Sequence, residues 1–213
     1  MAAAAGAALL HPEHITGKIA DNGGGSYTVT LNGYAAVTIN FTGDTNKYST
    51  ANGDWLKVLE KAYGQTIFST NSFGQHNPYY YINKGNAISE GIKVLSGNDQ
   101  DTDEFWFTSD ATTRTKLTAA FSSNKLVTLA SKDDKVEGVV VNHAYTVLAW
   151  DVTGDRVKVR NPHAYNPTFS QGGDKNNHLG KTDAENPNHV NNGEFWMPLP
   201  ILTRTFAEIC YEE

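Results

Sequence analysis

Two short runs in which apolar and polar residues alternate, Ala144–Trp150 and Arg156–Arg160, flank a turn segment at Asp151–Asp155 that contains Gly154, the pattern of a β-hairpin. If the chain folds back at Thr153, Tyr145 lies opposite Asn161, and His143 stands one diagonal step away. His143, Tyr145 and Asn161 then share a face. An imidazole beside a carboxamide at the open end of a hairpin is the arrangement in which an amide holds an imidazole ready to activate a thiol. A strand-end histidine satisfied by a neighbour explains the same pattern, and the hairpin taken alone favours that plainer account.

The rest of the chain sorts by the same periodicities. Residues 2–10 read as a helix stopped by His11-Pro12, and Asp21-Asn22-Gly23-Gly24-Gly25 marks a turn after Ile15–Ala20. Tyr27–Leu31 and Ala35–Phe41 alternate around Asn32-Gly33, which predicts a hairpin with a type I′ turn. Trp55, Leu56, Leu59 and Tyr63 recur at helical spacing and predict a helix over Asp54–Tyr63. Gln65–Asn86 reads as an irregular loop whose Tyr79-Tyr80-Tyr81 cluster serves either as a stacking platform or, more commonly, as packing. Ser89–Leu95 predicts a short helix ended by Gly97, Asp99–Glu104 a solvated acidic loop, Thr112–Ser123 a helix and Leu126–Ser131 a strand. A charged turn at Lys132–Lys135 and the segment Val136–Val141 lead into His143. From there the pattern is mostly strand, broken by the Asn-, Gly- and Asp-rich insertion Asn166–Gly193, and Gly193–Glu213 returns to core character.

Composition narrows the function classes. A chain of 213 residues with 39% hydrophobic residues can bury one large core or two small ones. A net charge of −6 without any Lys/Arg run argues against nucleic acid as a partner, and no apolar run is long enough to span a bilayer. The opening MAAAAGAALL has no basic region ahead of it and reads as the back half of a buried helix, so the chain is expected to begin inside an element. The single cysteine, Cys210, excludes an internal disulfide framework and leaves the compartment open, with an intracellular setting favoured. His11 and His14 form an HxxH pair with no third ligand at a supporting spacing, so they read as helix-terminus histidines. The Gly23–Gly25 triplet lacks the Lys and Ser/Thr of a phosphate loop.

Four segments, in order, resemble the calpain-type cysteine peptidase domain. GDWLKVLEKAYGQ is similar to the family's Trp-x-x-Leu-Leu-Glu-Lys-Ala-Tyr helix, and NHAYTVLAWD to the Gly-His-Ala-Tyr-Ser-Val motif around its catalytic histidine. VKVRNP is similar to the Arg-Asn-Pro-Trp-Gly motif around its catalytic asparagine, and NGEFWMPLPILTRTFAEIC to the Asp-Gly-Glu-Phe-Trp-Met segment and closing Glu-Ile-Cys. ISEGIKVLSGND also resembles the segment between these motifs. The resemblance implies an α+β, papain-like fold: a partial helical half up to about residue 110, then an antiparallel β-rich half over 111–213, with the cleft between them. It implies peptide-bond hydrolysis with His143 as base, Asn161 as its orienting residue, and a protein or peptide as substrate.

Three departures qualify that expectation. The family's nucleophilic Cys and its oxyanion Gln precede the Ala-rich helix, so the resemblance puts the nucleophile at or before Met1, on an N-terminal segment or within a larger multidomain chain. Cys210 matches the family's structural cysteine instead, and the chain alone is expected to be inactive. His163 stands where the family has a Trp that shields the His–Asn hydrogen bond. The sequence itself calls for no cofactor. Calcium enters only through the resemblance, and there Glu194 is retained while Asn192 replaces an Asp, with Asp174, Asp183 and Glu185 in the insertion unassigned to ligands. A non-catalytic module that binds peptides or regulates a partner is the alternative in a different class.

Overall fold

The hairpin lies inside a six-stranded antiparallel sheet. The computed structural model describes residues 2–40, 54–70, 87–134, 136, 138–163 and 193–213. Along these the elements run α1 (Ala2–Leu10), α2 (Glu13–Thr16), β1 (Ile19–Gly23), β2 (Ser26–Val29), β3 (Val37–Asn40), α3 (Trp55–Thr70), α4 (Ile88–Ser96) and β4 (Gln100–Glu104). There follow α5 (Asp110–Ser122), β5 (Val127–Ser131), β6 (Ala144–Asp151), β7 (Arg156–Arg160), β8 (Glu194–Pro198), α6 (Leu199–Thr205) and β9 (Phe206–Glu212). The large sheet has the order β4-β9-β5-β6-β7-β8, and β1-β2-β3 form a smaller sheet. The mixed α+β class is therefore as the sequence implies.

Alternation along the central strands creates two cores. Leu129, Tyr145, Val147, Val159, Ile209 and Tyr211 point to one face and are closed over by Leu117 of α5 and Leu199 and Leu202 of α6. Ala130, Ala144 and Cys210 point to the other, where Ala3, Ala4 and Ala7 of α1 meet Ile92 and Leu95 of α4. The buried face of α1 is made of Ala2, Ala3, Ala4, Gly6 and Ala7, with no long side chain, so α1 lies close against the sheet. At Gly6 the approach is closest: a Cβ there would stand 2.7 Å from Thr146 Cγ2 on β6.

Several expectations need correction. The acidic run expected as a solvated loop is β4, an edge strand paired with β9. Its Asp101 and Asp103 both accept from Lys116 Nζ, at 2.6 and 2.8 Å, which offsets their repulsion. The helix expected to end at Tyr63 continues to Thr70, since the residues after Gly64 include no breaker. Asp21–Gly23 belongs to β1, leaving Gly24-Gly25 as the turn. Strands β2 and β3 do pair, from Ser26↔Asn40 to Val29↔Val37, but not through a two-residue type I′ turn. Gly33 has φ 81 while Asn32 does not have positive φ, and Asn32 is tied to α4 by its N–H on Val94 O and its Nδ2 on Leu95 O. The C-terminal run expected as mostly strand contains α6, which starts with Pro200 in its first turn. Tyr79–Tyr81 and Asn166–Asn192 lie outside the described residues. Among those described, no helix is long and apolar enough to cross a membrane.

Candidate active site

The open end of the β6–β7 hairpin is set by one extra residue. Near the turn Asp151 pairs with Arg156 and Ala149 with Lys158, whereas beyond Leu148 the register shifts and Thr146 pairs with Arg160. Without this bulge in β6 Asn161 would fall opposite Thr146, and it would be His143 and Tyr145 that turn toward the α1 face, away from Asn161. With it, Tyr145 falls opposite Asn161 and the two residues look the same way. The turn itself is fastened by Asp151, which accepts from Gly154 N at 2.9 Å and Arg156 Nε at 2.8 Å.

His143 is positioned by its backbone. Asn142, at φ 49, donates its N–H to Lys132 O, and the His143 N–H donates to Ser131 Oγ at 2.9 Å. Ser131 in turn donates that hydroxyl to Val140 O at 2.6 Å. Beneath the imidazole, Tyr145 packs edge-on with ring centroids 5.2 Å apart, and its hydroxyl accepts from Val140 N at 2.8 Å. Burial pushes that phenol up to about 12.

Asn161 is fully buried. Its N–H donates to Gly193 O at 2.9 Å, and Gly193 adopts φ 82, a conformation that favours glycine, as the chain enters β8. Its Oδ1 accepts the backbone N–H of His163 at 3.0 Å and faces His143 Nε2 at 3.0 Å. A backbone N–H can only donate, so the side-chain atom it meets is the oxygen, and the amide orientation is settled. It follows that Nε2 carries the ring proton and donates it to Asn161, leaving the lone pair on Nδ1. The ring of His163 lies over His143 with centroids 4.4 Å apart. Burial, reinforced by His163 and opposed by the Asn161 bond, lowers the His143 imidazole to about 4, so it is a neutral base at physiological pH.

The other candidates from the sequence are elsewhere. Cys210 is buried, its thiol pushed up to about 11 by burial. It pairs with Thr128, which pairs with Thr146, so two strand spacings, roughly 10 Å, separate it from β6. His143 lies three residues further along, roughly 10 Å more. Glu194 is engaged by Lys158 Nζ at 3.1 Å and by Arg160. A carboxylate already carrying two cations is not arranged for calcium, and among the described residues this place does not fit the ion. His11 and His14 sit at the corner between α1 and α2. Periodicity gave no sign of Ser131, which meets Val140 and His143 across the loop before β6, or of Thr146, whose partner Ala2 is far away in sequence. Thr146 Oγ1 donates to the carbonyl of Ala2, which holds the first turn of α1 on the strand that begins beside His143.

The geometry can therefore take up a proton at Nδ1 of an oriented imidazole, next to the N-terminal end of a helix. Comparison with known proteins agrees in kind. The family model described as calpain family cysteine protease matches residues 38–211, a stretch that contains both His143 and Asn161. No curated protein matches the chain. The match spans most of the sequence, and the chain belongs to the calpain family of cysteine proteases.

Proposed function

We propose that His143 and Asn161 are the base and the orienting amide of a Cys–His–Asn site that hydrolyses protein or peptide substrates. The observation that carries this reading is the doubly anchored Asn161 Oδ1, which fixes the proton on Nε2 and turns the lone pair of Nδ1 outward. The thiolate is supplied at the N-terminal end of α1, where the helix dipole and the imidazolium formed as neutral His143 takes the thiol's proton at Nδ1 stabilise it. In this scheme the thiolate forms a bond to the peptide carbonyl carbon. The C–N bond then breaks as protonated Nδ1 gives its proton to the leaving amine. Water, deprotonated by the same nitrogen, hydrolyses the thioester and regenerates the thiol. Cys210 takes no part. The cleft lies between the segment up to about residue 110 and the β-rich remainder.

A cysteine introduced at position 1, directly ahead of α1, tests the arrangement. Alkylation of that thiol by iodoacetamide should show a pKa well below the ordinary 8.5, and the His143→Ala variant should return it toward that value. An identical alkylation profile with and without His143 would refute the assignment. His163 favours one second reading, a non-catalytic module that binds or regulates, because a second imidazole against His143 disfavours the imidazolium that turnover requires. If His143→Ala leaves the alkylation of the engineered thiol unchanged while the chain still binds a casein-derived peptide, that second reading prevails.

A further inference from the structure

We propose that His11, Glu13 and His14, at the corner between α1 and α2, form a binding site for a divalent transition-metal ion of the zinc class. Their ligand atoms all lie within 4.8 Å of one another. The hydrogen bonding of His11 carries the inference. Its Nε2 meets the carbonyl oxygen of Asn124, and a carbonyl only accepts, so that nitrogen holds a proton. The opposite ring nitrogen, Nδ1, faces Glu13 Oε1 at 3.0 Å. In the neutral ring Nδ1 is an acceptor, and so is the carboxylate. Two acceptors at this distance call for a cation: a second proton on His11, or a metal ion between them.

The surroundings suit the metal. A metal-ligating histidine usually donates its other N–H to a backbone carbonyl, which fixes the tautomer and raises its basicity, and Asn124 supplies that carbonyl from the turn after α5. The His14 ring lies 4.9 Å from the His11 ring, so two neutral imidazoles can converge on one ion where two imidazolium rings would repel. The buried carboxylate of Glu212 lies within electrostatic reach of His14 and adds negative charge. Two imidazole nitrogens, one carboxylate oxygen and a solvent position make a four-coordinate donor set for zinc or cobalt. Neither the match over residues 38–211 nor the His143 site involves these residues. A bound ion fastens the end of α1 to the junction of α5 and β5, and thereby helps to hold α1 on the sheet.

The test uses the full chain without an affinity tag, titrated with Zn²⁺ against a chromophoric chelator, with the visible absorption of bound Co²⁺ as a second readout. One ion per chain is expected, together with a higher Tm in zinc than in EDTA. Glu13→Gln and His14→Ala should each weaken zinc at least about tenfold, while His163→Ala, at the other histidine pair, should leave it unchanged. Among the described residues no hydrogen bond of the His14 ring fastens the fold, so His14→Ala is expected to keep the metal-free Tm and to remain informative if His11→Gln unfolds. Zinc affinity untouched by His14→Ala, or no binding stronger than that of the His11→Gln/His14→Ala double variant, would overturn the proposal and leave a protonated His11–Glu13 ion pair.

Discussion

Every polar atom around the His143 imidazole has a defined direction, and the consequences are measurable at single residues. The folded protein keeps the ring neutral down to about pH 4, whereas an unperturbed histidine takes up its proton near 6.5. The unfolded chain therefore binds the proton first. The stabilisation is complete above pH 6.5, declines as pH falls, and is lost by about pH 4. Discounted for the ring's partial exposure, the effect should reach about 2 kcal/mol. Urea midpoints at pH 7 and 4.5 should fall further in the wild type than in His143→Ala, and equal falls would show that the ring is not desolvated. Replacing Asn161 with Ala removes a buried acceptor shared by two donors. A loss of about 1–3 kcal/mol is expected, with disappearance of the slowly exchanging His143 Nε2–H signal in NMR spectra. Persistence of that signal would mean that something other than Asn161 holds the proton.

At the level of elements, the site depends on the bulge at Leu148 and on the close seat of α1. A methyl group at Gly6 would press on Thr146, which is β-branched, buried and bonded to the Ala2 carbonyl, and so has little room to yield. Gly6→Ala gains up to about 1 kcal/mol of helix propensity but incurs about 1–3 kcal/mol of overpacking. The expected net loss is about 1 kcal/mol, read from the urea midpoint; a gain would mean that α1 can move off β6 without cost. The same elements explain what could be read from the residues. β6 and β7 were legible because their alternation and their turn are local. So were the helix ended by Gly97 and the pairing of β2 with β3. Strand β4 was not, because it is made by Lys116 and by β9, more than a hundred residues away. The Asn32-Gly33 turn misled because the carboxamide that suits a tight hairpin is used instead to hold α4. The shared face of His143 and Asn161 was expected from a fold-back at Thr153, but the turn is centred half a residue later, and the bulge at Leu148, which no pattern announces, restores the register. The support from the Ser131 hydroxyl and from Gly193 was not legible either. Helix α6 was hidden in an apolar run whose Pro200 was the one available signal.

Across the whole molecule, the C-terminal strand is the seam. β9 runs between β4 and β5, so the last residues of the chain join the helical segment to the sheet that carries His143. Glu212 does this with its side chain as well as its backbone. One carboxylate oxygen accepts from Leu126 N at 2.8 Å, at the start of β5, and the other from Asn98 Nδ2 at 2.6 Å, just after α4. Burial by itself would raise this carboxyl, but the hydrogen bonds from Leu126 and Asn98 outweigh it and hold the group below its ordinary 4.5. A depressed carboxylate contributes stability that is present above its unfolded value and disappears as the pH falls through the folded one. Glu212→Gln keeps the shape, replaces an acceptor oxygen with a donor that faces another donor, and removes the charge. At pH 7 it should cost about 1–3 kcal/mol, and the gap from wild type should narrow steadily as both are acidified below pH 4.5, because the native carboxyl then becomes neutral too. A gap of constant size down to acid unfolding would place the whole effect in the mismatched hydrogen bond, and the seam would then owe its strength to geometry rather than to the buried charge.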